Sequence, residues 1–328
     1  MRIIVNSAYF ILSVMLFLIA ITACKKADNA SIPDVITLGI TEIETDKILC
    51  GGQVNGEGGK AVTERGVLIG KSENPSSDGT MIPMGAGMGL FNQWVENLDP
   101  GTNYYLCAYA VNEIGTAYGE VKAIKTRDII TDIDGNSYSV VDIGNQSWMG
   151  ENLKTSKYRN GNPIPQVLND EDWGNLVSGA FCYYDNDPSN DLIYGKLYNW
   201  HAMMDERGIC PEGWEPPDNN DWMELIDFAG GLQKAGANLK QKGFDLWERP
   251  NVDAINSTGF TALPGGIRIN DDFFSIKQFA NFWSATEYDE HANWQAYLSS
   301  VGYNHSGAYV VPLGKNYGLS VRCIKKEK

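Results

Sequence analysis

Histidine and cysteine side chains carry out much of the acid–base and nucleophilic chemistry of proteins, and this chain contains few of them. Its 3 histidines are His201, His291 and His305, and none stands in a recognisable catalytic motif. His201 falls on an apolar stripe at helical spacing, which favours a core histidine, and the other two lie in polar loop sequence. Cys182 stands in the aromatic run FCYYD without an accompanying base, so a buried thiol is favoured over a nucleophile. The sequence therefore offers no catalytic constellation.

A loop rich in carboxylate and amide groups follows Cys182. The segment YYDNDPSNDL contains Asp185, Asp187 and Asp191 together with two asparagines, and these are the hard oxygen ligands that calcium prefers. The spacing is not that of an EF-hand, however, and Asp and Asn around a proline also form ordinary turns through bonds from side chain to backbone. A calcium site and a plain turn both remain open, and no other cofactor is expected.

Aromatic side chains are concentrated in residues 282–317, where amides and a histidine lie between them. Aromatic faces beside polar groups suit sugars, and they suit the anchor residues of protein interfaces equally well. Alternation in NWQAYLSS predicts that Trp294, Ala296 and Leu298 share a buried face and that Tyr297 lies on the other. The candidate ligand-binding residues are Tyr297, Tyr303, Asn304, His305 and Tyr317.

The first two dozen residues have the composition of an export signal. Arg2 precedes an apolar run over residues 8–21 that is short for a membrane span, and the following ITAC resembles the bacterial lipobox. The resemblance implies a signal peptide over residues 1–23, lipidation of Cys24 with acyl chains such as palmitate, and a polar tether over residues 24–33. Because Lys25 and Lys26 follow the cysteine, the expected address is the outer membrane. An uncleaved anchor helix is the alternative.

Composition limits the remaining possibilities. A chain of 328 residues is long for one domain, and 35 glycines with 13 prolines indicate many turns and short strands. The formal net charge of −15 argues against nucleic acid as a partner, because phosphate contacts need clustered Lys and Arg. We therefore expect a multi-domain protein rich in β-structure.

Residues 34–127 show short alternating runs separated by turn signals about every ten residues, which is typical of a β-sandwich. The sequence LDPGTNY over residues 98–104 resembles the turn and corner tyrosine of fibronectin type III domains, in which a tyrosine hydroxyl bonds back to the backbone. Cys50 is in phase with the inward face and Cys107 with the outward face, which disfavours a disulfide between them without excluding it. The predicted first domain is an all-β spacer.

Residues 128–328 carry a more specific resemblance. Six blocks occur in the order of the Fibrobacter succinogenes major paralogous domain family: DGNSYSVVDIGNQSWMGENLK, FCYYDNDPSNDLIYGKLYNWHA, ICPEGWEPPDNNDWMEL, STGFTALPGGIR, FWSATE and GLSVRC. The resemblance implies an α+β domain that is distantly similar to the C-type lectin-like fold and to formylglycine-generating enzymes. Helical patterns cover residues 195–204, 221–229 and 234–241, and Asp218 with Asp221 predicts a capping box.

The same resemblance implies particular residue roles. Cys210 and Cys323 match the two cysteines of the family pattern, and an exported chain meets oxidising conditions, so a disulfide between them is expected. Glu215 stands where members of the family commonly have a histidine, so a function of that histidine would be lost here. Formylglycine-generating oxidases need a closely spaced cysteine pair near the C-terminus, and only Cys323 is present there.

These observations favour a lipid-anchored cell-envelope protein that binds a glycan or a protein without catalysis. An envelope enzyme and a structural coat protein are the alternatives. The expected partners are the membrane, through the lipid, and one surface ligand.

Overall fold

The computed structural model describes residues 30–288 and 294–325, without the side chains of residues 170 and 171. Cys24, the predicted signal peptide and His291 lie outside the described residues. Within the described part of the chain, no helix has the length and apolar content needed to cross a membrane.

The first domain consists of two antiparallel sheets. Its strands are β1 (Asp34–Thr37), β2 (Glu42–Ile43), β3 (Ile48–Gly56), β4 (Glu64–Gly70), β5 (Thr80–Pro83), β6 (Gly89–Val95), β7 (Asn103–Asn112), β8 (Gly115–Tyr118) and β9 (Lys122–Lys125). Strands β1, β2 and β6 pair with β3 in one sheet, and β5, β4, β7 and β8 follow one another in the other, with β9 also on β7. This order is that of a fibronectin type III sandwich, so the predicted fold of the first domain is confirmed.

The corner tyrosine is present where the sequence predicts it. The backbone N–H of Asp99 donates to Tyr104 Oη at 3.0 Å, which ties the start of β7 to the preceding turn. Between the sheets, Ile48, Val67 and Leu106 are fully buried. This apolar layer holds the two sheets together.

The two cysteines of the sandwich lie on opposite faces of their sheets, as alternation predicts. Cys50 packs between the sheets beside Ile48, whereas Cys107 packs in a small outer cluster with Leu68 and Tyr109. Both are buried thiols, and no bond joins them. Burial raises the pKa of Cys50 to about 12, so its reactive thiolate is disfavoured.

The second domain combines short strands with all the described helices. Its strands are β10 (Ile129–Thr131), β11 (Ser137–Ile143), β12 (Gln146–Met149), β13 (Phe181–Cys182), β14 (Leu197–Tyr198), β15 (Trp214–Glu215), β16 (Gly265–Ile269), β17 (Asp272–Ile276), β18 (Phe279–Glu287), β19 (Gln295–Gly302), β20 (Ala308–Gly314) and β21 (Ile324–Lys325). Its helices are α1 (Asp170–Gly174), α2 (Ser189–Tyr194), α3 (Trp200–Met203), α4 (Asn219–Phe228) and α5 (Ala235–Leu239). The α+β class is confirmed, while the lectin-like relationship stays a prediction.

Two sheets organise this domain. One has the order β10-β11-β12-β21-β15 and the other the order β18-β19-β20, in which β20 is an edge strand. Both faces of the second sheet are covered: Trp283 and Leu298 belong to one core cluster, and Phe282 and Val301 belong to the other. The β18-β19-β20 sheet therefore forms the centre of the domain, and its edge and ends reach the surface.

Helix α4 follows its predicted signals. The Asp218 side chain accepts from the backbone of Asp221 while the Asp221 carboxylate accepts from the Asp218 N–H, which is a complete capping box. Trp222, Leu225 and Ile226 form the buried stripe. The helix ends before two glycines with positive φ, as expected.

The predicted helix over residues 195–204 is wrong in its first half. Leu197 and Tyr198 form β14, which pairs with β13, and the helix covers only Trp200–Met203. Asn199 explains the late start, because its side chain accepts from the Ala202 N–H as an N-cap. The buried positions of Leu197 and Trp200 matched a helical period although they lie on different elements.

The predicted disulfide is present. Cys210 and Cys323 are bonded, with their Cα atoms 6.0 Å apart, across a sequence separation of 113 residues. Cys210 lies just before β15 and Cys323 just before β21, two strands that pair with each other. The bond therefore reinforces an existing contact between the middle and the end of the domain.

The two domains follow each other with a very short connection. Three residues separate β9 from β10, and their backbone is bound on both sides: Arg127 N–H donates to Glu44 O at 3.0 Å, and Asp128 O accepts from Val140 N–H at 2.8 Å. At the other end, Ser31 N–H donates to Gly58 O at 2.8 Å, so the ordered first domain includes a residue of the predicted tether.

Candidate functional site

The five predicted ligand-binding residues lie along the β19–β20 hairpin and do not converge on one site. Tyr303, Asn304 and His305 lie at its turn, whereas Tyr297 lies within β19 and Tyr317 follows β20. Strand β20 has 7 residues. At about 3.3 Å per residue the two ends of the hairpin are about 20 Å apart. The hairpin therefore presents two separate surfaces, one at each end.

Tyr303 and Tyr317 have mainly structural surroundings. Tyr303 is half-buried against the core and meets Phe279 edge to face at 6.4 Å between ring centroids. Tyr317 is half-buried and packs against the other core cluster. Asn304 is exposed in the turn. Of the five predicted ligand-binding residues, His305 is the one that lines the groove described next.

We define the hairpin groove as the open groove beside edge strand β20. It has a volume of about 540 Å³ and is lined by Met223, Leu232, Gln233, His305, Ser306, Gly307, Ala308, Tyr309, Val310 and Val311. Leu232, Tyr309 and Val311 are 45%, 51% and 42% exposed. Three large apolar side chains thus face solvent around one concave surface.

The free edge of β20 is partly blocked along the groove. The Ala308 N–H donates to Leu232 O at 2.8 Å on the side away from β19. Because backbone groups alternate along a strand, those of Val310 and Pro312 point to the same side as those of Ala308. Proline has no N–H to donate there. Little of the edge is therefore left for an added strand, and side chains provide most of the binding surface of the groove.

His305 lies at the end of the groove. Its ring meets the Tyr309 ring edge to face at 4.8 Å, and neither ring nitrogen has a hydrogen-bond partner of good geometry. Burial, followed by the nearby Lys240 charge, lowers the pKa of His305. A contact with the Gly307 backbone opposes this shift but is smaller. The imidazole is therefore neutral around pH 7, and it lines one end of the groove.

Lys240 fixes the backbone of the turn from inside. This fully buried residue donates from Nζ to Val252 O at 3.0 Å, to Gly302 O at 2.9 Å and to His305 O at 2.9 Å. Burial lowers the pKa of Lys240 to about 8. The ammonium thus ties helix α5 to both ends of the turn that carries His305.

A second surface lies at the opposite end of the sheet. We define the sheet-end cluster as His201, Glu287, Trp294 and Lys315. Lys315 Nζ lies 3.0 Å from Glu287 Oε2 and 4.2 Å from the centre of the Trp200 ring. Burial, followed by the Lys315 charge, lowers the pKa of His201. The prediction that Trp294 is buried with Ala296 and Leu298 is wrong, because Trp294 precedes β19 and is 64% exposed.

Tyr297 lies on the other face of the sheet. It is half-buried, pairs across the strands with Pro312, and meets the exposed Tyr288 edge to face at 5.4 Å. Alternation placed Tyr297 away from Ala296 and Leu298, and the structure agrees. Tyr297 is thus close to the sheet-end cluster along the strand but faces away from it.

Two of the three aspartates of the candidate calcium loop are bonded to other residues of the chain. Asp187 Oδ1 accepts from Ser189 N–H at 2.9 Å, and Asp191 Oδ2 lies 2.7 Å from the Nζ of the nearly buried Lys196. Asp185 is largely exposed, and its pKa is raised first by partial loss of solvent around the carboxylate and then by the nearby Asp187 and Asp272 charges. Across residues 30–288 and 294–325, no three His, Cys, Asp or Glu side chains form a group that could hold a metal. Calcium binding here stays a prediction that would require Asp187 and Asp191 to change partners.

The Cys182 thiol and the two described histidines lie apart from one another. Cys182 is buried with Trp173 and Leu197, His201 lies at the sheet end, and His305 lies at the hairpin turn. These three side chains therefore do not form a nucleophile and base pair with one another.

Several surface residues were missed by sequence reasoning. Tyr309 and Val311 alternate on a short strand that ends with Pro312, and a proline in a strand is a signal of an edge position. That signal would have marked the two side chains as candidates for exposure. Glu287, Lys315 and Leu232 carried no comparable local signal.

Comparison with known proteins gives a family and a set of similar sandwiches. The model of the Fibrobacter succinogenes major domain matches residues 141–325. The RsgI4 anti-sigma factor sensor domain of Pseudobacteroides cellulosolvens is 14% identical and matches 29% of this chain and 95% of its own, at a TM-score of 0.25. The chicken CNTN1 FN1–FN3 structure is 18% identical over 30% of this chain and 31% of its own, at 0.24.

A human fibronectin type III domain, from KIAA0970, is 16% identical over 34% of this chain and 85% of its own, at a TM-score of 0.24. With scores this low, the assignment of the first domain depends on its strand order and corner tyrosine. A search of curated proteins found no match.

Proposed function

We propose that this chain, which belongs to the Fibrobacter succinogenes major domain family, is a lipid-anchored recognition protein of the cell envelope whose second domain binds a protein ligand in the hairpin groove. The observation that carries the proposal is the exposure of Leu232, Tyr309 and Val311 around one groove. Contiguous exposed apolar surface of this kind marks interaction sites in soluble domains. The fibronectin-type domain acts as the spacer.

Two features of the groove support binding over catalysis. The imidazole of His305 is neutral, and the hydroxyl of the adjacent Ser306 donates to Asp253 Oδ2 at 2.6 Å and not to the His305 ring. Its turn is fixed by the three bonds of Lys240, so the surface is formed before the ligand arrives. A preformed surface avoids the entropic cost of ordering side chains on binding.

The proposal is tested by affinity capture from isolated cell envelopes with the full chain in detergent. Tyr309→Ala removes an aromatic contact from the groove, and Tyr118→Ala in β8 is the matched control, because that strand tyrosine is similarly exposed at 48%. We expect the wild type and Tyr118→Ala to bind a protein ligand saturably and with equal affinity. The affinity of Tyr309→Ala for the same ligand should be lower by about tenfold or more.

Equal capture by all three proteins would contradict the proposal. Substrate turnover would favour the envelope enzyme, and concentration-dependent self-association without a separate ligand would favour the coat protein. Repeating the capture with calcium and then with chelator tests the Asp185 loop.

A further inference from the structure

The sheet-end cluster is not used by the protein ligand proposed above. Trp294 is 64% exposed there, although tryptophan is highly buried on average. The charged residues Glu287 and Lys315 lie at the ends of the two neighbouring strands, whereas the large exposed side chains of the hairpin groove are apolar. The cluster therefore offers a different kind of surface.

The strand register brings the cluster together on one face of the sheet. Glu287 pairs with Ala296, and Ala296 pairs with Leu313 on β20. Trp294 and Lys315 each lie two residues beyond these partners, so alternation places their side chains on the same face as Glu287. The Lys315 N–H donates to Trp294 O at 2.8 Å, which extends the ladder to these two residues. Three strands thus fix the arrangement.

The charges of the cluster are already compensated. Glu287 is exposed and pairs with Lys315 at 3.0 Å, while the Lys315 side chain is only 7% exposed. The Glu287 carboxylate still has lone pairs available as acceptors. His201 is half-buried on α3, and its lowered pKa keeps the imidazole neutral. The polar groups of the cluster thus suit neutral hydroxyls better than an ionic ligand.

We propose that the sheet-end cluster binds a neutral glycan. The Trp294 indole stacks on the C–H face of a pyranose ring, and the Glu287 carboxylate accepts hydrogen bonds from its hydroxyls. The net charge of −15 repels acidic polysaccharides, and the cation of the cluster is engaged by Glu287. This site lies about 20 Å along β20 from the turn end of the hairpin groove and does not depend on the protein ligand.

Calorimetric titration of the full chain in detergent with tetrasaccharides tests this site. The probes are maltotetraose, cellotetraose and mannotetraose as neutral glycans and tetragalacturonate as the acidic one. We expect saturable binding of at least one neutral probe. Its Kd should rise about tenfold or more in Trp294→Ala and also rise, by less, in Glu287→Gln. Tyr118→Ala in the first domain is the matched aromatic control and should leave the Kd unchanged.

The mutated residues are exposed, so circular dichroism should show the same fold for all variants. The proposal is overturned if none of the neutral probes binds, if Trp294→Ala binds as tightly as the wild type, or if tetragalacturonate binds more tightly than the neutral probes. These outcomes are distinct from failure of the groove, because capture of a protein ligand is measured with Tyr309→Ala.

Discussion

Lys240 has an unusual position for a charged side chain. It is fully buried, yet its three hydrogen bonds all go to backbone carbonyls and none to a carboxylate. Burial opposes the charged form and lowers the pKa of this lysine to about 8. Burial of this charge lowers the free energy of unfolding, while its hydrogen bonds hold the turn beside the hairpin groove in place.

Stability should depend on pH through this residue. Because the folded pKa lies below the ordinary value of 10.5, the unfolded chain holds a proton between about pH 8 and pH 10.5 that the folded chain has released. The free energy of unfolding should therefore gain a contribution that rises with pH in this window, by at most about 1.4 kcal/mol per unit. Below about pH 8 the full desolvation cost remains.

Lys240→Met removes this contribution and leaves three buried carbonyls without their donor. Urea denaturation at about pH 7.5 and about pH 9.5 should show a stability gap between wild type and variant that widens at the higher pH. The variant is its own control for all other titrating groups. A gap that is constant or narrows would show that Lys240 stays protonated throughout.

At the residue scale, residues with a local signal were the easiest to predict. Asp218, Asp221 and Tyr104 act through neighbours a few positions away, so their bonds were readable from the sequence. Lys240 was not predictable, because its bonding partners are distant in the sequence and only the fold brings them together. Asp191 had the residue type of a calcium ligand, but it pairs with Lys196.

The pairing of strands β15 and β21 lies next to a covalent bond that stabilises it. Each has only two residues, and the Cys210–Cys323 disulfide lies beside their pairing. Closure of a loop of this length reduces the entropy of the unfolded chain. The disulfide should therefore matter more to the second domain than the few hydrogen bonds of these strands.

The double variant Cys210→Ser/Cys323→Ser should lose about 4 to 5 kcal/mol of unfolding free energy in the second domain. Calorimetry with and without reductant provides the measurement, since reductant should lower the melting transition of the wild type and leave the double variant unchanged. The transition of the fibronectin-type domain, which lacks a disulfide, is the internal control. A loss spread over both transitions would mean that the domains unfold together.

At the element scale, long and capped elements were predicted better than short ones. Helix α4 has 10 residues, a capping box and terminal glycines, and all three signals agree. Helices α2 and α3 and strands β13 and β14 have between 2 and 6 residues. Such elements are fixed by tertiary contacts more than by local preference, which is why Leu197 and Trp200 suggested one helix.

The whole molecule combines a predicted membrane anchor with two ordered domains. The bound backbone of Arg127 and Asp128 limits the freedom between the domains. In the predicted tether, which covers residues 24–33, Ser31 is already bonded to the first domain. Domain order and family were readable because the six sequence blocks and the corner tyrosine are spread along the chain. The hairpin groove and the sheet-end cluster could not be predicted from the sequence, because they depend on the strand register and on which strand lies at the edge of the sheet.

Lipid anchoring predicts a simple change on mutation of Cys24. In a bacterial host, Cys24→Ala should abolish incorporation of labelled palmitate and move the protein from the membrane fraction, whereas Lys26→Ala should keep both. Labelling of the Cys24→Ala protein would contradict lipidation at this cysteine. Unlabelled wild type in the soluble fraction would contradict the address.

Photo-crosslinking in intact envelopes tests the central claim most directly. A benzoylphenylalanine side chain is introduced at Tyr309 in the hairpin groove or at Tyr118 in the spacer. We predict a discrete adduct with a protein partner from position 309 and none from position 118. The same adducts at both positions, or none at position 309 while the protein is folded and present in the envelope, would contradict recognition through the hairpin groove.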